Sequence, residues 1–332
     1  MKKFFALSLL VFALISCNTE PAVFENTARG QAQGTTYQIT YLHSESLNLK
    51  SSFDSIFTAV DDAVSTYKRT SLISRFNAGD TIVMNPIFKA VWESSKQINK
   101  ESNGYFDPTV GPLVRFWGFG KETRRYAADS TEVDSVKQYI GIDKIWQQGD
   151  NLHLAAGGYL DFNAIAQGYT TDLIAEFLND KGFENYMVEV GGEVRTKGLN
   201  TQNMPWRIGV DKPQDEIDSE DRFQLIAALE NVSLATSGNY RKFWTDEETG
   251  LRYAHTINPL TGFPSMNRLL SVTIIDKSCM KADAYATTCM AMGLNGAKEF
   301  VKNHQLEAYF IYTNTDGEWE TFVTEGFPEY TP

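Results

Sequence analysis

From Leu152 onward the chain is a succession of short β-rich runs, at residues 159–162, 186–190, 206–210, 223–229, 252–257 and 270–276. Only two helical patterns interrupt them, one at 165–179 and one beginning at Lys281. A doubly wound parallel sheet needs a helix between successive strands, and this stretch supplies too few. The pattern therefore predicts an α+β fold: a single large domain of mixed β-sheets with packed helices. The N-terminal half adds strand-like alternation at 36–42 and a helical period at 52–67, with Phe53, Ile56, Phe57, Val60 and Val64 on one face. A further helix is predicted at 86–101. No internal repeat or low-complexity tract is present.

The helix beginning at Lys281 carries the most pointed chemistry. In "KADAYATTCMAMG", residues 281–293, Asp283 and Thr287 lie four apart and so share a helical face in an otherwise apolar segment. One reading is local: an acid in a first turn offsets the helix dipole, and a Thr hydroxyl bonds back to the carbonyl four residues earlier. The other is a site for an oxygen-preferring cation such as magnesium, which a carboxylate and a hydroxyl one turn apart can both reach. One helix cannot complete such a shell.

Four turns elsewhere are candidates for the remainder. "YMVEVGGEVRTKG" reads as two strands about a Gly191-Gly192 turn; it is not GxGxxG and no helix follows, so a Rossmann dinucleotide site is not supported. The absence of GxxxxGK[ST] removes the P-loop. In "LDFNAIAQGYTTDLIAEFL" a short strand meets a tight turn at Asn163-Ala164, and Ala164, Ala166 and Gly168 let either a neighbouring helix or a ligand approach the backbone. "LATSGNYRKF" places Thr236, Ser237 and the amides around Gly238 after a strand, where they suit either phosphate oxygens or helix capping. "RYAHTINPLTGFP" sets His255 at a strand end before an Asn258-Pro259 turn, as a structural or a functional histidine.

Charge and cysteine usage narrow the partners. The formal net charge is −12 and no basic cluster is visible, which argues against nucleic acid; an anionic substrate would need a local cation. Lys2 and Lys3 precede an apolar run at 4–15, too short to span a bilayer and shaped like a secretory signal. It ends in Leu14-Ile15-Ser16-Cys17, which resembles a bacterial lipobox, and the polar stretch 18–27 reads as a tether. The expected organisation is a lipoprotein signal peptide at 1–16, a lipid-anchored tether at 17–28 with lipidation at Cys17, and a folded domain at 29–332, held on the periplasmic side of a bacterial membrane. Cys279 and Cys289 are open to pairing or to burial as small apolar residues. With four scattered histidines and neither CxxC nor HExxH, zinc is not expected.

Taken together, "GQAQGTTYQITY", "STYKRTSLISRFN", "NGYFDPTVGPLVRFWGFG", "LDFNAIAQGYTTD", "VEVGGEVRTKG", "ATSGNYRKF", "HTINPLTGFP" and "KADAYATTCMAMG" resemble, in order and over nearly the whole mature chain, the ApbE family of FAD:protein FMN transferases. The resemblance implies an α+β domain related to flavin-binding T-like folds. It implies FAD as substrate and Mg2+ as cofactor, with FMN passed to a Thr or Ser hydroxyl of an exported flavoprotein, such as a subunit of a redox-driven ion pump, and AMP released. By the same resemblance Asp283, Thr287 and the Ala164 carbonyl are metal ligands, and His255 and Asp283 are catalytic. Tyr67, Asp107, Glu189, Gly191, Gly192, Ser237 and Gly238 fall in motifs that line the FAD pocket. The chain departs from the commonest pattern at Gln33, where Met is usual, and at Asn163-Ala164 and Gln167, where Gly-Gly and Lys are frequent. A backbone carbonyl survives such changes, whereas the missing Lys bears on how the pyrophosphate is held. Two alternatives share the motifs: an FAD pyrophosphatase, with water in place of the protein hydroxyl, and a non-enzymatic flavin-binding lipoprotein.

Overall fold

The computed structural model describes residues 23–119, 128–214, 222–239, 243–246 and 252–331, so the signal segment and Cys17 lie outside the described residues. In chain order the elements are β1 (Phe24–Ala32), β2 (Thr35–His43), α1 (Lys50–Val64), α2 (Leu72–Asn77), β3 (Ile82–Val83), α3 (Pro86–Glu101), α4 (Gly111–Phe116) and α5 (Ser130–Lys137). They continue with β4 (Ile145–Gln148), β5 (Asn151–Leu154), α6 (Ala166–Asp180), β6 (Tyr186–Val190), β7 (Glu193–Lys197), β8 (Trp206–Asp211) and β9 (Phe223–Leu229). The last are β10 (Ser233–Gly238), β11 (Phe243–Thr245), β12 (Arg252–Ala254), β13 (Leu269–Asp276), α7 (Cys279–Asn303), β14 (Glu307–Thr313) and β15 (Trp319–Val323).

One eight-stranded sheet, in the order β1-β2-β6-β7-β10-β13-β14-β15, organises the domain, and its described pairings are antiparallel. The fold is thus the predicted α+β domain. Alternation along β7 shows how the sheet divides its residues: Val194 joins the apolar cluster of Ala227, Leu229 and Leu234, while Arg195 reaches Asp172 of α6 on the other face. On that face α6 and α7 lie side by side. Gly168 makes the close approach possible, since a Cβ there would fall 2.4 Å from the Cys279 carbonyl oxygen and 2.8 Å from Asp283 Cβ.

Local chemistry accounts for the helices. In α3, Asn85 accepts the Phe88 N–H at 2.8 Å and Pro86 occupies the first turn; Phe88, Val91, Trp92 and Ile98 are then buried at helical spacing. In α1 the buried face is Phe53, Phe57, Val60, Ala63 and Val64, with Ile56 only half-buried, and the helix stops at Val64, three residues short of expectation. Each of these large apolar side chains contributes roughly 1.5–3 kcal/mol by leaving water.

Several expectations need correction. Residues 159–162 form no strand; Asp161 N–H donates to the Pro108 carbonyl and Leu160 N–H to the Asn77 side chain, so loop contacts replace a ladder. The sheet begins at Phe24, five residues before the expected domain boundary, because β1 pairs along its whole length with β2 and buries Asn26 and Ala28. Residues 252–257 give only the three-residue β12 and an isolated bridge at Ile257. Ser237 and Gly238 are the last residues of β10, not a turn after it, and neither caps a helix. Cys279 and Cys289 are free and buried. No helix among the described residues is long and apolar enough to cross a membrane.

The N-terminus of α7 begins two residues earlier than predicted; Ser278 is its N-cap, and Asp172 of α6 caps it from outside. Asp172 accepts Ser278 Oγ at 2.8 Å, Cys279 N–H at 3.0 Å, Met280 N–H at 3.1 Å and Arg195 Nη1 at 2.6 Å. Replacing Asp172 with Ala leaves a half-buried guanidinium and two helix-terminal amides without their acceptor. The expected loss is roughly 3–5 kcal/mol of folding stability, read from urea denaturation; a loss below about 1 kcal/mol, the size of an exposed ion pair, would show that the cap is dispensable.

Candidate active site

Asp283 lies in the second turn of α7, and no acid occupies the first. The dipole role that the sequence left open for it therefore belongs to Asp172 instead. Thr287 does not bond back along the helix; Thr288 does, to the Ala284 carbonyl at 2.7 Å. Thr287 Oγ1 lies 3.0 Å from Ser237 Oγ, so the end of β10 meets the polar face of α7. Asp283 is 6% exposed, and its Oδ2 accepts the Gly168 N–H at 3.1 Å. In a regular helix that N–H would go to the Ala164 carbonyl. Here no backbone N–H among the described residues donates to Ala164.

Three oxygen donors from two elements are thus left available: the Asp283 carboxylate, the Thr287 hydroxyl and the Ala164 carbonyl. A fourth group stands nearby. Glu193, at the start of β7, is 7% exposed; its Oε2 has no hydrogen-bond partner among the described residues, and the negative charge of Asp283 acts on it. Burial pushes the Asp283 carboxyl up to about 7 against the help of the Gly168 N–H, and pushes Glu193 well above the usual range, with Asp283 adding to it. The two titrate as a pair, each harder to ionise while the other is charged. A buried carboxylate pair with one neutral donor and an orphaned oxygen fits a hard cation. Among the described residues no three His, Cys, Asp or Glu side chains gather as a metal cluster.

The hairpin between β6 and β7 overlies the start of α6. Gly191 and Gly192 have φ of 65° and 105°, as a two-residue turn of the primed kind requires. A Cβ on Gly191 would lie 2.9 Å from Gln167 Nε2, and Gly192 N–H donates to Glu189 Oε1 at 2.8 Å. Burial raises the Glu189 carboxyl, with that N–H opposing. This places the hairpin turn beside Gln167 in the first turn of α6, three residues after Ala164.

His255 follows β12 and is half-buried, with the edge of its ring toward Phe119 at 6.4 Å between centroids. Its segment is tied at both ends: Thr256 Oγ1 donates to Asn239 Oδ1 at 2.8 Å, next to Gly238, and Asn258 Nδ2 donates to the Ala291 carbonyl at 3.3 Å, one turn beyond Thr287. The Ala291 carbonyl is open because Gly293, at φ 77°, breaks α7; Asn267 takes the Met290 carbonyl at 2.9 Å in the same way. Two further expected pocket residues lie in loops of the N-terminal half. Asp107 turns onto Thr109, accepting its N–H at 2.8 Å and its hydroxyl at 2.5 Å, with its carboxyl raised by burial. Tyr67 is 71% exposed in the loop after α1. Sequence reading missed Glu193 and Asp172; the first follows the Gly-Gly turn by one residue, and the second sits two turns into α6, but nothing local marks either as buried.

Fold and site together define an α+β domain in which two buried carboxyls, a hydroxyl pair and an unpaired backbone carbonyl lie where two helices meet an antiparallel sheet. The chain belongs to the ApbE family, whose family model matches residues 33–310. It is 37% identical over 310 residues to a FAD:protein FMN transferase of Vibrio cholerae, covering 91% of each chain, and 34% identical over 338 residues to one of Haemophilus influenzae, covering 97% of this chain and 95% of that one. Among solved structures, the flavin transferase ApbE from Vibrio cholerae aligns at a TM-score of 0.82 and 34% identity over 93% of this chain and all of that one. The apo flavinyl transferase ApbE of Pseudomonas stutzeri aligns at 0.83 and 30% identity, over 93% and 97%.

The Asp283 carboxyl makes stability pH-dependent in the metal-free protein. Its folded pKa lies above its ordinary value of 3.8, so the folded state holds the proton more tightly. That contribution is complete below the ordinary carboxylate range and is lost as pH rises toward about 7. Thermal unfolding of the metal-free protein from pH 4 to pH 8 should therefore show a decline with pH that is shallower in Asp283→Asn. An identical slope in the variant would show that this carboxyl carries none of it.

Proposed function

We propose that this protein transfers the FMN half of FAD to a Thr or Ser hydroxyl of an exported flavoprotein, in a magnesium-dependent reaction that releases AMP. The observation that carries the reading is the oxygen set at the junction of α6 and α7, in a chain similar along nine-tenths of its length to proteins named FAD:protein FMN transferase. Asp283, Thr287 and the Ala164 carbonyl are the residues that would hold Mg2+. When bound, the ion supplies charge neutralisation at the pyrophosphate oxygens.

The chain's own groups do the rest. The Ser237 hydroxyl, paired with Thr287, is placed to donate to a phosphate oxygen, and the open space at Gly192 admits a substrate close to the backbone. His255, held between Asn239 and α7, takes the proton of the acceptor hydroxyl on a ring nitrogen. The acceptor oxygen bonds to the FMN-side phosphorus as the phosphoanhydride bond to AMP breaks, and AMP leaves with the electron pair. Most of the rate comes from alignment, because phosphoryl transfer asks little covalent chemistry of the protein. The leader ending at Cys17 supports a lipid-anchored domain on the periplasmic side, where an exported acceptor is available.

The test combines FAD, Mg2+ and a Thr-containing acceptor, with mass detection of FMN on the acceptor and release of AMP. Free FMN and AMP without a labelled acceptor would mean that water is the acceptor; FAD left intact would mean flavin storage. Identification of the natural acceptor tests the placement as well, since a cytoplasmic acceptor would overturn it.

Asp283→Asn should fold but transfer little FMN at ordinary magnesium, because the charge that balances the ion is gone; Thr287→Ala should lose less, since water replaces a neutral ligand. Near-normal turnover in Asp283→Asn with unchanged magnesium dependence would remove it from the site. His255→Ala should keep FAD binding and lose roughly two to four powers of ten in transfer rate. If FAD binding falls with the rate, the histidine contacts the ligand and does not serve proton transfer.

A further inference from the structure

We propose that Glu193 is a second carboxylate of the cation pocket, facing the ion together with Asp283 and loading it before flavin arrives. The inference deepens the magnesium reading above and rests on it. It comes from comparing two places on one strand face. Glu193 and Arg195 stand two apart on β7, so both point toward the layer of α6 and α7. At Arg195 the charges balance: its guanidinium meets Asp172 at 2.6 Å, and Asp172 takes three more donors from the α7 N-terminus. At Glu193 they do not. The charged group that acts on it from the helix layer is Asp283, of the same sign, and the further carboxyl acting on it, Glu189, is negative too.

A carboxylate 7% exposed, with one oxygen lacking any described partner and two acids for neighbours, is a costly arrangement in a protein that balances its charges two residues away. Asp283 spends one oxygen on the Gly168 N–H. No lysine or arginine is among the groups acting on either carboxyl. A divalent cation resolves both deficits at once, because its two positive charges match the two carboxylates and its coordination demand takes up the orphaned oxygen. The pocket with its ion is then electrically neutral before the pyrophosphate enters, so cation binding does not wait for the nucleotide.

The experiment titrates Mn2+, as the probe ion, into the purified, EDTA-stripped chain without flavin, following free Mn2+ by electron paramagnetic resonance. The wild-type protein is expected to bind, and Glu193→Gln to bind about 10- to 100-fold more weakly. Metal-free Glu193→Gln is expected to melt no lower than wild type at pH 8, because a like charge has been removed. Glu193→Ala, which leaves room for water, carries the same expectation where glutamine impairs folding. Unchanged Mn2+ affinity in a folded variant overturns the proposal alone and leaves the Asp283 and Thr287 reading standing. Failure of the wild-type protein to bind Mn2+ overturns the cation pocket, and the proposal with it.

Discussion

The carboxylate of Asp172 accepts four donors from two other elements, and the geometry of the pocket follows from where it holds them. The guanidinium of Arg195 fixes α6 to β7, while Ser278, Cys279 and Met280 fix the first turn of α7 to the same point on α6. With both ends of that junction pinned, the next turn of α7 brings Asp283 over Gly168, and only the missing side chain of Gly168 lets the two helices come that close. The turn after that carries Thr287 to the end of β10. A negative charge at a helix N-terminus stabilises the helix on its own account, yet here the larger effect is registration: the cap sets which residues of α7 face the sheet.

The break at Gly293 serves the other side of the pocket. An unbroken helix would have used the Met290 and Ala291 carbonyls internally; the break leaves them to Asn267 and Asn258, whose amides bind the segment after β12 to the helix. The stacked rings of Trp117, Tyr253 and Trp244 hold β12 itself, with Tyr253 and Trp244 at 4.4 Å between centroids. His255 therefore sits in a strap fastened to an aromatic cluster, to the end of β10 and to α7, so its ring is referenced to the same helix that bears Asp283 and Thr287.

What could be read in the sequence was whatever depends on near neighbours. Helical spacing put Asp283 and Thr287 on one face, the Asn85-Pro86 start announced α3, and Gly191-Gly192 between two β-rich runs announced the hairpin. The misreadings turned on pairings that local periodicity does not show. Residues 159–162 have strand composition but find loop carbonyls and Asn77 instead of a strand, and β1 looks like a polar tether until β2 is laid beside it. Glu193 follows the hairpin glycines as one more polar strand residue; that it is buried opposite Asp283 is a property of the packed helices, invisible to periodicity. The start of α7 was misplaced although its N-cap, Ser278, is local; the further capping by Asp172 comes from 107 positions away.

Those separations bear on the order in which the molecule can be made. The contacts that build the pocket join residues 115 positions apart at Gly168 and Asp283 and 50 apart at Ser237 and Thr287. No shorter stretch of the chain contains the pocket in miniature. Topologies dominated by such distant pairings fold slowly, since the loop must close before any contact rewards it. A nascent chain that has produced every strand up to β13 still lacks α7, so it can present a flavin with neither the carboxylate nor the hydroxyl of that helix. The oxygen atoms of α7 therefore come together with those of the sheet and of the α6 entrance only after that helix has been made and packed.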